Sequence, residues 1–280
     1  MRVGVTGSAG FTGAYLADAL AEAGHETVAI RADLTDPVAL DNDVATVAPD
    51  AVIHLAGSAF VAADDINTFY AVNQLGSFNL LDSLARHRPE CRVLLASSAQ
   101  VYGDAASGRV GEDHPTCPAN HYALSKLAME MGARFWEGKL VPIVARPFNY
   151  TGRGQQDRYL IPKIVQHFRE RRAVIELGNI DVERDFGDVR TVARAYAGLI
   201  SNTDASGVVN VATGTPHSVR DVIAMAERLT GHRIDVVVNP AFVRTNDVTQ
   251  LVGDNSRLRA LLPDWEPATL EATLAWMLAA

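Results

Sequence analysis

The chain of 280 residues predicts an α/β fold with a doubly wound parallel sheet. Three observations carry that expectation. Short β-branched runs alternate with longer helical patterns through the first half, the strand segments are apolar on both faces as buried parallel strands are, and a glycine turn joins the first strand to the first helix. Segments 3–6, 27–30, 51–55, 92–96 and 141–146 read as strands, and 13–23, 37–47, 66–87 and 119–137 as helices. The second-strand region is abbreviated, because Ile30 leads through Arg31, Ala32, Asp33, Leu34, Thr35 and Asp36 straight into a helix starting at Pro37. After Arg146 the pattern loosens into a Gly-rich turn (Thr151, Gly152, Arg153, Gly154), a helix at 159–171, a strand at 174–177 and a polar loop at 181–185. An alanine-rich helix at 190–201 is expected to return to the sheet. A strand at 208–211, a helix at 219–230, a strand at 234–238 and a last helix from 269 complete the chain.

Composition narrows the function classes. Hydrophobic residues make up 48% and charged residues 21% of the chain, and no segment approaches the roughly 18 uninterrupted apolar residues of a membrane span. The first strand begins within three residues of Met1, which leaves no room for a cleavable leader, so a cytoplasmic location is expected. Cys91 and Cys117 form no disulfide framework. A net charge of −8 argues against nucleic acid as a partner. Any anionic substrate must be held by a few local arginines against the overall field.

The run Thr6-Gly7-Ser8-Ala9-Gly10-Phe11-Thr12-Gly13 follows the first strand and precedes a helix of small residues. In that context Gly7 permits the tight turn, Gly10 lets a pyrophosphate approach the backbone, and Gly13 lets helix pack on strand. The helix N-terminus then faces the phosphates. This is a Rossmann-type dinucleotide site, and it assigns residues 1–150 to a dinucleotide-binding domain and 151–280 mainly to a smaller C-terminal α/β domain for substrate. Glycine turns of this kind also occur in proteins that only bind nucleotides, so the chemistry must come from elsewhere.

Tyr122 and Lys126 are four apart in an expected helix and share a face. An ammonium held near a phenol favours the phenolate, lowers a pKa otherwise near 10, and makes Tyr an acid/base. Ser98 follows the fourth strand, at the carboxyl edge where open α/β sheets bind ligands, and can hydrogen-bond a reacting oxygen. Tyr-x-x-x-Lys alone arises by chance, and Ser97 and Ser98 alone could simply end a strand. The glycine turn, the serine and the Tyr/Lys pair in this order and spacing point together to dinucleotide-dependent redox chemistry on a carbonyl or alcohol. For the cofactor, Arg31 just after strand two can neutralise a 2′-phosphate and no acidic residue stands at that strand end to grip a ribose diol. This points to NADPH, with NADH left open.

At these residues, and at His54-Leu55-Ala56-Gly57, Asn73-Gln74-Leu75-Gly76, Ser97 to Gly103 and Arg146-Pro147-Phe148-Asn149, the chain resembles the extended short-chain dehydrogenase/reductase superfamily in its nucleotide-sugar branch. The segments 146–152 and 177–186 look most like the GDP-mannose dehydratase and GDP-4-keto-6-deoxy-mannose reductase pair. The resemblance implies Ser98, Tyr122 and Lys126 as catalytic residues. It implies a cofactor held by Gly7, Gly10, Phe11, Thr12, Gly13, Arg31, Asp33, Leu34, Leu55, Ala56, Gly57, Asn73, Tyr122 and Lys126. Ser98, Gln100, Asn149, Arg184 and Arg244 are implied as substrate contacts, with arginine forks suited to a diphosphate; a solvated arginine is the alternative reading for each. Similar dehydratases place a Glu two residues after the catalytic hydroxyl, and the epimerase-reductases that make GDP-fucose place a Cys there. Gln100 can do the work of neither.

What remains is reduction of a nucleotide-linked 4-keto-6-deoxy sugar, GDP-4-keto-6-deoxy-D-mannose to GDP-D-rhamnose being the expected case. A nucleotide-sugar 4-epimerase with tightly bound NAD is the nearest alternative. A non-catalytic dinucleotide sensor is disfavoured by the retained Ser98, Tyr122 and Lys126. The resemblance also implies a homodimer formed through the helices near 70–87 and 119–137. Two positions depart from the pattern: Tyr150 where many similar reductases have His, and Arg153 where many have Pro. His114, Cys117 and His121 have ligand-like spacing, but they lie beside Pro115 and Pro118 and the expected reaction needs no metal.

Overall fold

The computed structural model describes residues 1–59, 66–105, 107–242 and 248–279. In chain order its elements begin with β1 (Arg2–Thr6), α1 (Phe11–Glu22), β2 (Glu26–Ile30), α2 (Pro37–Val47), β3 (Ala51–His54), α3 (Ile66–Thr68), α4 (Ser77–His87), β4 (Arg92–Ala96), β5 (Gly108–Val110), α5 (His121–Ala133), β6 (Val141–Pro147) and β7 (Asn149–Thr151). They continue with α6 (Leu160–Arg169), β8 (Val174–Leu177), β9 (Glu183–Asp188), α7 (Val189–Ser201), β10 (Gly207–Val211), β11 (Pro216–Ser218), α8 (Val219–Thr230), β12 (Asp235–Val238), β13 (Gln250–Gly253), α9 (Ser256–Leu261) and α10 (Leu270–Leu278).

Six strands in the order β2-β1-β3-β4-β6-β10, all parallel, form the main sheet of a Rossmann-type layer. The chain leaves β1 for β2 on one side and then crosses to β3 on the other. The carboxyl ends of β1 and β3 therefore bound the crevice at the topological switch point, where such sheets bind ligands. Residues 31–36 pass directly from the edge strand β2 into α2, which starts where Asp36 accepts the Val38 and Ala39 N–H groups (3.1 and 3.0 Å) and Pro37 presets the first turn.

One face of the sheet is covered by α1 and α7, whose Leu16, Leu20, Val192, Tyr196 and Leu199 join Val3, Val5 and Ile53 in a buried cluster. The other is covered by α2, α4 and α5, through Leu40, Val44, Leu80, Leu84 and Met129. Thus α7 and β10, although beyond residue 150, belong physically to this layer.

The remaining strands and α6, α8 and α10 form the smaller part. Its sheet runs β11-β9-β13-β5 with β7 also on β9, beside a two-stranded β12-β8 pair, and its core holds Phe168, Ile175, Phe186, Val222 and Leu274. The polar loop expected at 181–185 is in part a central strand, β9, because its carboxylates turn inward to backbone donors. Asp185 accepts the Thr213 N–H (2.9 Å), the Thr213 hydroxyl (2.7 Å) and the Gly214 N–H (2.8 Å), and Asp188 caps α7 at the Arg190 N–H (2.7 Å). A second difference lies in 66–87, where an eight-residue π-helical stretch, Phe69–Gly76, interrupts the expected single helix between α3 and α4.

A chain of hydrogen bonds locks the β1–β3 crevice to that stretch. The Ala56 N–H donates to Thr6 Oγ1 (3.2 Å), the Thr6 hydroxyl to His54 Nδ1 (2.6 Å), His54 Nε2–H to Ser77 Oγ (2.9 Å), and the Ser77 hydroxyl to the Asn73 carbonyl (2.6 Å). Because Ser77 spends its proton on Asn73, only the neutral Nε2–H tautomer completes the chain. Burial, helped by the charge of Lys126, lowers the His54 pKa to about 3 from an ordinary 6.5. Between those values the unfolded chain binds the extra proton and the folded chain does not, so stability falls as pH falls through that window. We expect wild type to lose about 2 kcal/mol more than His54→Gln between pH 7 and pH 5 in denaturant unfolding. Equal losses in the two proteins would show that the imidazole is not the cause of this pH dependence.

Candidate active site

The glycine turn after β1 sits in the switch-point crevice. Gly7 has φ +69°, and a Cβ there would lie 2.8 Å from the Ala56 nitrogen, so this turn both needs the left-handed region and presses against the loop after β3. Gly13 is buried in the first turn of α1 against the Ser8 and Gly7 carbonyls, so it lets the helix close on its own turn rather than on a strand. The first-turn N–H groups of α2, α5, α7, α8 and α10 are each met by a capping side chain, from Asp36, Asn120, Asp188, Ser218 and Thr269. Those of α1 are not. An uncapped helix start behind a glycine turn at the switch point fits a dinucleotide pyrophosphate, on backbone donors of Phe11, Thr12 and Gly13.

Across the crevice, α5 presents Tyr122, Lys126 and Glu130 on one buried face. Its start is fixed by Asn120, which accepts the Ala123 N–H (2.9 Å). Lys126 Nζ donates to the Ala96 carbonyl at the end of β4 (2.8 Å), and a Cβ on Gly57 would come within 3.2 Å of it. The Asn73 amide accepts the Ser58 N–H (2.8 Å) and donates to the Ser58 carbonyl (2.9 Å) and Ser125 Oγ (3.0 Å), tying the loop after β3 to α5. Ser98, two residues past Ala96, accepts the Gln100 N–H (3.2 Å) and lies close enough to Tyr122 to act on its hydroxyl. The three candidate catalytic residues thus converge on one spot at the carboxyl edge of the sheet.

The electrostatics differ from the expectation for Tyr122. Burial pushes its pKa up to about 12, with the Ser98 hydroxyl pulling the other way, and the lysine, engaged with Ala96, is not among the groups that lower it. Burial lowers Lys126 to about 8, and Glu130 opposes that shift. A phenol with so high a pKa is fully protonated near neutrality, so Tyr122 holds the proton that reduction of a ketone requires.

The other residues singled out in the sequence fall into three groups. Around the cofactor crevice, Leu55 and Ala56 bond back to Thr6 (3.2 Å each), and Phe11 stacks on Tyr150 with ring centroids 6.2 Å apart. Arg31 is exposed after β2, its N–H and that of Ala32 held by Asp43 (2.6 and 2.9 Å), and Asp33 accepts the Thr35 N–H and hydroxyl. Leu34 is buried among Ile30 and Leu40, so only its backbone can face a ligand. On the substrate side, Gln100 is exposed with its carbonyl accepting from Asn120 (3.3 Å), Asn149 is exposed at the start of β7, and Arg184 lies on β9. Arg244 lies outside the described residues. Among the described residues no His, Cys, Asp and Glu group is placed to hold a metal ion.

Sequence reading missed two features. The Tyr150 hydroxyl is hydrogen bonded to Thr12 Oγ1 (2.9 Å) and the Tyr15 hydroxyl donates to the Arg153 carbonyl (2.7 Å), so the departures at 150 and 153 join the substrate loop to α1. Glu130 pairs with Arg146 (2.6 Å) in the interior, and its spacing four beyond Lys126 was the available signal.

Fold, crevice and Ser/Tyr/Lys convergence define a dinucleotide-dependent oxidoreductase class. The family model described as the NAD dependent epimerase/dehydratase family matches residues 3–212. A GDP-6-deoxy-D-mannose reductase of Pseudomonas aeruginosa is 35% identical over 96% of this chain and 99% of its own length. A GDP-6-deoxy-D-talose 4-dehydrogenase of Aggregatibacter actinomycetemcomitans is 34% identical over 94% of this chain and 91% of its own. A solved structure, RMD from Pseudomonas aeruginosa complexed with NADPH, superposes with a TM-score of 0.90 at 33% identity over 99% of this chain and 98% of that one. The chain belongs to the NAD dependent epimerase/dehydratase family, within the extended short-chain dehydrogenases/reductases, and is an NAD(P)-dependent oxidoreductase.

Tyr122→Phe is expected to leave dinucleotide binding, followed by fluorescence titration, unchanged and to lower turnover about 100-fold or more. Full turnover in the variant would remove Tyr122 as the acid.

Proposed function

We propose that the chain reduces the 4-keto group of GDP-4-keto-6-deoxy-D-mannose to give GDP-D-rhamnose, with NADPH as reductant. The observation that carries the reading is a protonated Tyr122 next to the Ser98 hydroxyl, with the amide of Gln100, not a carboxylic acid or thiol, two residues beyond that serine. One acid and one polarising hydroxyl suffice for ketone reduction. Elimination of water or epimerisation next to the ketone needs a further acid/base.

When bound, the reduced dinucleotide supplies the hydride for C4. Ser98 donates a hydrogen bond to the ketone oxygen, Tyr122 passes its proton to the same oxygen as charge develops there, and Lys126 would hold the nicotinamide ribose. Residues 1–150 with α7 and β10 would hold the cofactor, and the segment from 151 the nucleotide sugar. Asn149, Arg184 and Arg244 are the proposed contacts to the GDP diphosphate.

The preference for NADPH rests on Arg31, exposed at the end of β2 and without a salt bridge among the described residues. The homodimer would form on α5, where Leu124 and Met131, followed by Phe135, leave an apolar stripe in water, Phe135 being 87% exposed. Within this reading the enzyme works in the cytoplasm. No helix among the described residues is long and apolar enough to cross a membrane.

With the ketone generated in situ, we expect NADPH oxidation at a higher kcat/KM than with NADH, and GDP-D-rhamnose as product. GDP-6-deoxy-D-talose would place the opposite sugar face toward the hydride, and interconversion without added reductant would establish an epimerase instead. Light scattering should give a dimer that Phe135→Glu disperses to monomer; a monomeric wild type would remove the α5 interface.

A further inference from the structure

Glu130 is 5% exposed, on the same face of α5 as Tyr122 and Lys126 and one turn further on. Four hydrogen bonds converge on its carboxylate. The Ser97 hydroxyl donates to Oε1, and Arg146 reaches it through Nε (3.1 and 3.2 Å) and Nη2 (2.6 Å). Arg146 is in turn held from behind: its guanidinium lies 4.8 Å from the centre of the Tyr102 ring, its Nη1 donates to the Glu112 carbonyl (3.4 Å), and the Tyr102 hydroxyl donates to Asn210 (2.7 Å). Consecutive residues at the end of β4 are therefore bolted to α5, Ala96 by Lys126 and Ser97 by Glu130. Ser98 is the next residue.

We propose that Glu130 is a positioning residue for the Ser98, Tyr122 and Lys126 site: it fixes the Ser97–Ser98 end of β4 on α5 and supplies the buried negative charge that faces Lys126. The inference rests on the catalytic reading given above. The groups around Lys126 leave Glu130 as the one with this role. On α5 they are Tyr122 and Glu130; from β3 comes His54, held neutral; from the π-helical stretch comes the Asn73 amide, uncharged. Arg146 of β6 reaches the site only through Glu130, with Tyr102 and Glu112 on its far side. A carboxylate next to a buried ammonium opposes loss of its proton, so removing the carboxylate while Arg146 stays makes the proton easier to lose.

The chain has only three lysines, Lys126, Lys139 and Lys163, so each is separately visible by NMR in protein labelled with 13C at lysine Cε. In full-length Glu130→Gln we expect the Lys126 titration midpoint, assigned by its loss in Lys126→Met, to fall by about one unit. Lys139 and Lys163 should not move, and the alkaline limb of kcat/KM for ketone reduction should shift down with Lys126. A merely structural role would lower activity without moving either. Since Glu130→Gln leaves Arg146 buried and unpaired, the double variant Glu130→Gln/Arg146→Met is used if the single variant does not fold; Arg146 lies beyond Glu130, so its loss offsets only part of the effect and the Lys126 midpoint still falls, by less. A Lys126 midpoint unchanged from wild type in a folded variant overturns the proposal. The NMR titration stands even if wild type fails to reduce the ketone, so that failure would count against the catalytic reading and not against Glu130.

Discussion

The hydrogen bond from Lys126 Nζ to the Ala96 carbonyl places a charged group almost out of reach of water at the junction of α5 and β4. An ammonium in that position is costly unless its surroundings supply acceptors and opposite charge. The carbonyl end of β4 supplies the acceptor and Glu130 the charge, and Arg146 must then be buried to balance Glu130. Tyr102 and Asn210 follow, because a buried guanidinium needs something flat and polar to rest on. One lysine thus organises the carbonyl end of β4 and side chains from β6, β10 and α5 into a single block, with the Tyr122 and Ser98 hydroxyls at its open end.

The dinucleotide end is built by the opposite means. There, donors are left unsatisfied: α1 lacks the side-chain cap that five other helices carry, and the loops after β1 and β3 approach so closely that Gly7 accepts no side chain. The neutral His54 chain joins the two ends, running from the Ala56 N–H to the Asn73 backbone, while the Asn73 side chain reaches Ser125 beside Lys126. Tyr150 and Arg153 extend the coupling to the substrate loop. Tyr150 bonds Thr12, and Arg153 lies 4.9 Å from the Trp276 ring, which also meets Tyr15 edge-on. The two positions that depart from the family pattern are those by which the loop touches α1.

The parallel sheet, the crevice and the Ser98, Tyr122 and Lys126 convergence were legible because each leaves a local mark: apolar strands, glycines at a turn, and an i, i+4 pair. The strand β9 was not legible. Its Asp185 read as a loop residue, and only the distant donors Thr213 and Gly214 explain its burial. The π-helical stretch leaves no periodic trace over eight residues. The direction of the Tyr122 shift was also out of reach, since spacing on a helix reports that Lys126 is near but not that its ammonium is spent on Ala96. Arg146 was visible as part of a motif, yet its role required knowing that Glu130 points inward.

The central claim is that hydride passes to the sugar C4 while this site provides the proton. The most direct measurement uses NADPH deuterated at nicotinamide C4 with GDP-4-keto-6-deoxy-D-mannose and locates the label by NMR of the isolated product. One deuterium at C4 of the hexose for each NADP+ formed is the predicted result. Product formed without deuterium at C4, or NADPH left unconsumed by folded protein, would contradict it.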